Sequence, residues 1–523
     1  MTPRDLRSPA AAVWLDDPAA GLHLIGPRLR RAAAAARRRA AALQRPVVAW
    51  TGARAPLMDP LDLLALDPVR AHDPVLFARP AGSFSLLGIG SAWGFSGSGP
   101  DRFTRARLAW EALVEDAVGE AAGDDESRGA VPAGAADAWG AGPVLAGGFS
   151  FVSVPGEGPP WTGFPGASLR LPRVAVAAVG GACWVTLAVV ARPDASTAVI
   201  DGEVDACIHL VKALVHSGTD RAARPGASCG SPPPAEIVCE ERPPAEVWKA
   251  TVASATRAVR NGALEKVVVA RALWVRGGPF DPADTLRRLR DGYPTCTLFA
   301  VVRDGRCFLG ATPERLVRVC GGQVSAMALA GSAPRGATED EDRRLGEMLL
   351  ASPKDRIEHA VVVDALRDAI AEMCGQVSVA ASPSLFKVAN VQHLVTPISA
   401  RRQDHTTVLD LAGRMHPTPA VGGVPRDDAL AWLRRHEGLD RGWYAGPVGW
   451  MNRSGEGEFA VAIRCALLHP EGATLFTGCG IVADSDPDQE YAESCLKLRP
   501  MLAALGAGAR DPAPSGGRGW SVP

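Results

Sequence analysis

The sequence predicts an α+β fold of antiparallel sheets packed as a sandwich, with helices on the outside. Two observations carry that prediction. Strand-like runs recur in pairs around two-residue turns, at Gly180-Gly181, Asp304-Gly305 and Gly321-Gly322, which is how antiparallel hairpins are written. Helical stretches fall between these meanders instead of alternating with single strands, which argues against a doubly wound parallel sheet.

In chain order, the Arg-rich, alanine-interleaved residues 29–39 read as a solvated helix. Strands are expected at 84–90 and 144–154. Residues 119–142 (Ala, Gly, Asp) and 217–234 (Ser, Pro) read as flexible insertions, and 507–523 as a disordered tail. The chain thus divides into an N-terminal half of the fold, 1–240, and a C-terminal catalytic region, 241–506. The second region opens with a helix over 246–261, stopped at Gly262, and a strand over 266–275. Hairpins follow across Asp304-Gly305 (strands 295–303 and 306–311) and Gly321-Gly322. Helices are expected at 339–350 and 353–373, strands at 443–451, 458–467 and 474–482, and a last helix from Pro487.

Bulk composition excludes several classes. A net charge of −1 with both signs abundant argues against nucleic acid or an anionic membrane as the main partner. No apolar run reaches a membrane span, and the first 25 residues lack a secretory pattern. Eleven scattered cysteines without a CxxC pair favour reduced thiols and a cytoplasmic home. A monomer is favoured.

Two helix openings carry one acidic device. Ser352-Pro353-Lys354-Asp355-Arg356-Ile357-Glu358 and Asp486-Pro487-Asp488-Gln489-Glu490-Tyr491-Ala492-Glu493 each supply a cap and a proline at the first helical position. Each then sets two carboxylates three residues apart on one face: Asp355 with Glu358, and Glu490 with Glu493. If the faces met, like charges about 4 Å apart would repel by roughly 4 kcal/mol per pair. Such a cluster calls for a cation or shared protons, and all-oxygen donors suit Mg2+ better than zinc. Singly, each segment reads equally as acids complementing a helix dipole.

Other residues are suggestive in combination. Lys266 opens the run Lys-Val-Val-Val-Ala-Arg and is either a solvated strand-end lysine or, if uncharged, a base. Glu314 follows a strand; it either pairs with Arg315 or Arg318, or serves as a general acid with a raised pKa. Gly478-Cys479-Gly480 would let backbone N–H groups approach an anion, or form a plain turn. Arg464 lies within a predicted apolar strand and needs a carboxylate partner. Tyr444 and Lys497 add polar groups, and His393 reads by default as a core histidine.

Taken together, the segments 266–271, 310–316, 330–336, 353–359, 391–397, 417–423, 446–464 and 478–497 resemble the chorismate-utilising enzymes, over residues 244–505. The resemblance implies that family's fold of two subdomains in a sandwich, with chorismate as the small-molecule partner beside Mg2+. It makes Glu358 and Glu493 direct metal ligands, with Asp355 and Glu490 as second partners. Tyr444 and Arg464 would hold the enolpyruvyl carboxylate, and the Gly478, Cys479 and Gly480 backbone with Lys497 the ring carboxylate; His393 is a pocket residue of open role. Ala330 stands where aminodeoxychorismate synthases carry a nucleophilic lysine. Lys266 is the residue of water-using members, and Ala420 stands where pyruvate-eliminating members usually have threonine. The implied activity is that of an isochorismate synthase, a hydroxymutase-type isomerase serving menaquinone or siderophore biosynthesis. Uncharged Lys266 would deprotonate water attacking C2, and protonated Glu314 would assist loss of the C4 hydroxyl. The alternatives are a salicylate synthase, an anthranilate synthase, and a non-catalytic chorismate-binding protein.

Overall fold

In the inner strands of the larger sheet successive residues bury both faces, so that sheet is covered on both sides. In Val47–Ala55, Val48 and Trp50 enter one core while Val47 and Ala49 enter a second. In Arg306–Thr312, Phe308 enters the first, and Cys307 and Leu309 the second. The first core joins two large sheets; the second lies beneath helices that include Ile25–Leu43, Thr197–Ala222, Pro282–Gly292 and Pro487–Ala504. This computed structural model describes residues 24–121, 142–156, 158–222 and 237–507. It is the expected α+β sandwich.

Among the described residues the larger sheet has 13 strands and the smaller 10, almost wholly antiparallel. Both cross the boundary near residue 240. In the larger, Val75–Arg79 pairs with Thr297–Arg303; in the smaller, Val144–Phe149 pairs with Pro447–Asn452. The two halves are therefore a division of the sequence and not of the core. The hairpins at Gly180-Gly181, Asp304-Gly305 and Gly321-Gly322 form as predicted.

Three expectations need correction. Residues 217–222 are not a loop but continue the helix Thr197–Ala222; 223–234 lie outside the described residues. Within 119–142, Val118–Ala121 is a short strand parallel to Val47–Ala55, while 122–141 lie outside, as does the tail from 508. The single strand expected over 458–467 is two strands, Gly457–Val461 in the smaller sheet and Cys465–His469 in the larger. The chain changes sheets between them, and Arg464 takes φ 52° at that crossing.

An aromatic column between the sheets supports the site. Trp161 stacks on Phe476 (5.2 Å), and Phe476 on Tyr444 (5.4 Å, 16°), while Phe308 meets Trp161 edge-on. Such pairs contribute about 0.5–1.5 kcal/mol each beyond burial. They fix the Tyr444 ring at the column's end. No helix among the described residues is long and apolar enough to cross a membrane.

Candidate active site

The cavity forms where the chain passes twice between sheets. One crossing leaves Arg306–Thr312 for Arg315–Cys320 and carries Glu314; the other carries Arg464. Val461 N–H donates to the Glu314 carbonyl at 3.0 Å, binding the two crossings side by side. Each turn projects its side chain into the gap that the departing strand leaves. The positive φ of Arg464 is strain of roughly 1–3 kcal/mol, held by surrounding structure. Glu314 is buried, and its expected salt-bridge partner Arg315 is engaged by Glu458 at 3.0 Å. Burial pushes the Glu314 carboxyl up to about 7, against the downward pull of Arg464 and Lys266.

The floor is the pair of strands Lys266–Arg276 and Gly472–Ile481. Ala270 spends its N–H on Glu437 and its carbonyl on Trp248, so the Ala270–Gly478 pair exchanges no ladder bonds. Gly478 therefore turns its backbone groups outward, and its carbonyl accepts from Lys497 Nζ at 3.0 Å. By the period of two, Gly480 does the same and Cys479 points back into the ladder. Side-chain space is equally tight. A Cβ on Gly480 would lie 2.8 Å from Lys266 Cε, and one on Gly478 3.1 Å from Tyr444 Oη.

Both acidic helices reach this cavity. Ser352 and Asp486 cap them as predicted, accepting from Asp355 N–H at 3.3 Å and from Gln489 N–H at 3.0 Å. His359 pins the first helix to the smaller sheet, its ring nitrogens meeting the Ala330 carbonyl (3.2 Å) and Thr396 Oγ1 (2.7 Å). Asp355, Glu358, Glu490 and Glu493 all line the cavity. Lysines neutralise two of them: Lys266 Nζ lies 2.6 Å from Glu358, and Lys497 Nζ 2.6 Å from Glu493. Lys266, expected as an uncharged base, thus sits in a salt bridge. Glu490 accepts from Ser485 Oγ at 2.8 Å; burial, then the Glu493 charge, pushes its carboxyl up. For Glu493 burial acts upward but Lys497 and Arg464 outweigh it, and the carboxyl is lowered.

The polar wall is completed by Tyr444, Arg464, Lys497 and His393. Tyr444 belongs to the turn before Pro447–Asn452, not to the strand expected over 443–451, and its N–H donates to the Arg441 carbonyl. Burial pushes its hydroxyl up, so it stays a neutral donor. Arg464 is matched by no carboxylate salt bridge among the described residues, which leaves its guanidinium suited to an anionic group. His393 is more than a core histidine. Its Nδ1 meets Ser332 Oγ at 2.8 Å, its Nε2 has no partner, and burial, then Arg464 and Lys497, push it down to about 3. It is a neutral ring bordering the cavity.

Of the residues singled out from sequence, Cys479 alone does not line the cavity. It faces the terminal helix, its buried thiol donating to the Glu490 carbonyl at 3.3 Å, and burial raises it far above the ordinary thiol range. Only its backbone belongs to the expected cradle. Lys354 was overlooked and does line the cavity. The signal was a lysine in a first helical turn, where the dipole favours acids.

The family model described as "Chorismate binding enzyme" matches residues 33–506. The chain is a chorismate-binding enzyme. Among curated relatives of this chorismate-binding enzyme is the "Salicylate biosynthesis isochorismate synthase" of Pseudomonas aeruginosa, 38% identical over 89% of this chain and 92% of that protein. The "Isochorismate synthase MenF" of Bacillus subtilis is 36% identical over 70% of this chain and 75% of that one. In fold, this chorismate-binding enzyme matches the menaquinone-specific isochorismate synthase MenF of Escherichia coli with a TM-score of 0.69. The match covers 91% of this chain and all of that one at 23% identity.

Proposed function

We infer that this chain is an isochorismate synthase, converting chorismate to isochorismate by attack of water at ring C2 with loss of the C4 hydroxyl. The observation that carries the reading is one cavity holding Lys266 and a buried Glu314 that keeps its proton to about pH 7. When its bridge to Glu358 opens, Lys266 first gives up its ammonium proton to solvent, and the resulting free amine takes a proton from the attacking water. Glu314 protonates the departing hydroxyl, which leaves as water, so one water enters and one departs. Arg464 and Tyr444 hold the enolpyruvyl carboxylate; Lys497 and the Gly478 and Gly480 backbone hold the ring carboxylate. Ala330 offers no nucleophile for a covalent route, and Ala420 lines the cavity where pyruvate-eliminating members carry threonine.

Magnesium is part of this proposal, and the residues fit it. With Glu314 protonated, four carboxylates in the cavity (Asp355, Glu358, Glu490, Glu493) balance four cations (Lys266, Lys354, Arg464, Lys497). A dicarboxylate entering alone would leave two negative charges uncompensated. Carboxylate oxygens of Glu490 and Glu493 already lie within 4.8 Å of one another and of the Cys479 sulfur, and the thiol's raised pKa leaves an all-oxygen donor set. Glu358 and Glu493 would hold the ion, with Glu490 and Asp355 behind them. When bound it would neutralise and orient the ring carboxylate. The enzyme acts as a cytoplasmic monomer, supplying a menaquinone or siderophore route.

Chromatography of products after incubation with chorismate and Mg2+ tests the reading. Isochorismate is expected as the dominant early product. Dominant pyruvate and salicylate would move the assignment to salicylate synthase, and no turnover would leave a chorismate-binding protein.

A further inference from the structure

A second open cavity, of about 790 Å³, borders a loop that also lines the active site. His416 and Pro417 line it, whereas Ala420 and Val421 line the active cavity. Its size is that of a small-molecule site, and its apolar walls are Phe103, Phe151, Leu430 and Leu433.

Its charges are unevenly satisfied. Arg441 is cancelled by Glu437 at 2.6 Å, and Asp440 accepts from Gly442 N–H at 2.9 Å. Exposed Asp427 faces Arg426, which donates to the Arg414 and Met415 carbonyls, and Arg434 is exposed at the rim. His416 is neutral, its ring meeting the Phe151 carbonyl at 2.9 Å. Arg102 is the exception. It is 5% exposed, donates only to the carbonyls of Gly99 (3.3 Å) and Ser150 (3.1 Å), and its Nε has no partner. Burial pushes it down to about 10, with no carboxylate to offset the loss of hydration. Its guanidinium lies 4.9 Å from the Phe103 ring centre, so a cation and an aromatic face adjoin one wall.

We propose that this cavity is a second binding site, for an aromatic carboxylate whose anionic group pairs with Arg102 and whose ring packs against Phe103, Phe151 and Leu430. The site is wired to the first. Arg441 donates to the carbonyls of Val421 (2.8 Å) and Val268 (2.6 Å), and Glu437 accepts from Ala270 N–H at 2.7 Å. Val421 and Val268 line the active cavity, and Val268 and Ala270 share a strand with Lys266. An occupant pressing on Glu437 and Arg441 loads both the loop and that strand, changing kcat without competing with chorismate.

The test uses the full chain with 4-fluorobenzoate as probe, followed by 19F NMR while chorismate and Mg2+ saturate the active site. Binding in the millimolar range or tighter is expected, with kcat shifted about twofold or more. Arg102→Met should weaken binding at least about tenfold while turnover without probe is retained. Should that variant not fold, Leu430→Trp, which fills the cavity from a half-buried position, is expected to exclude the probe. Displacement of the probe by chorismate, inorganic phosphate binding as tightly, undiminished binding in the folded variants, or no change in kcat would each overturn the proposal.

Discussion

Replacing Gly480 by alanine isolates the placement of Lys266 from its chemistry. The new Cβ would stand 2.8 Å from Lys266 Cε, 3.0 Å from Glu358 Oε1 and 3.3 Å from Lys266 Nζ. Carbon atoms in contact settle at about 3.5–4.0 Å, so the lysine stem must retreat by roughly 0.7–1.2 Å. A misplacement near 1 Å at a reacting group costs about 10²-fold in rate, or about 2.7 kcal/mol of activation free energy. The backbone has no objection to alanine, because Gly480 is not among the positive-φ positions. Lower unfolded-state entropy offers about 0.4–1 kcal/mol against the crowding, so the melting temperature should move by no more than about 3 °C. The assay is chromatographic isochorismate formation at saturating chorismate and Mg2+, beside a melting curve. A kcat within about threefold of wild type, with melting unchanged, would refute the claim that this glycine seats the lysine.

Glu314 makes both rate and stability pH-dependent. Its proton is required, so kcat/KM should fall as pH rises through about 7 in a pH–rate profile. Because its folded pKa lies above the ordinary 4.5, its contribution to stability is intact below about pH 4.5 and is lost as pH rises to about 7. Glu314→Gln should therefore abolish turnover yet unfold at higher denaturant at pH 8, by up to about 3 kcal/mol; equal stability there would contradict the burial argument. Glu358→Gln or Glu493→Gln should raise the Mg2+ needed for half-maximal turnover at least about tenfold, and a metal titration superimposing on wild type would remove that carboxylate from the proposed ligand set. Lys266→Ala should eliminate product while chorismate still raises the melting temperature; normal turnover would end its role as base.

Local rules carried the hairpins, because Asp304-Gly305 and its counterparts need only a two-residue turn between apolar runs. They also carried both acidic helices, whose caps and prolines act within one turn. The break at Arg464 was not legible. Ala-Val-Ala-Ile-Arg-Cys-Ala-Leu contains no glycine or proline, and the left-handed turn is imposed by the chain changing sheets. Tertiary demand overrode a uniform strand signal there. The lysine partners of Glu358 and Glu493 were equally hidden in part. Lys497 is four residues from Glu493 on one helix, but Lys266 and Glu358 come from distant elements. Cys479 lies in the strand expected over 474–482, and because alternate side chains of a strand face away it can offer the cavity only its backbone.

Strand pairing across the two halves also governs how the polypeptide comes into being. Val75–Arg79 leaves the ribosome long before its neighbour Thr297–Arg303, and Val144–Phe149 waits still longer for Pro447–Asn452. Until synthesis is nearly finished, those edges and their apolar flanks are open to the wrong partner, the condition in which nascent chains aggregate or recruit chaperones. A protein whose two ends must find each other late should fold slowly, and separately expressed halves should each be insoluble.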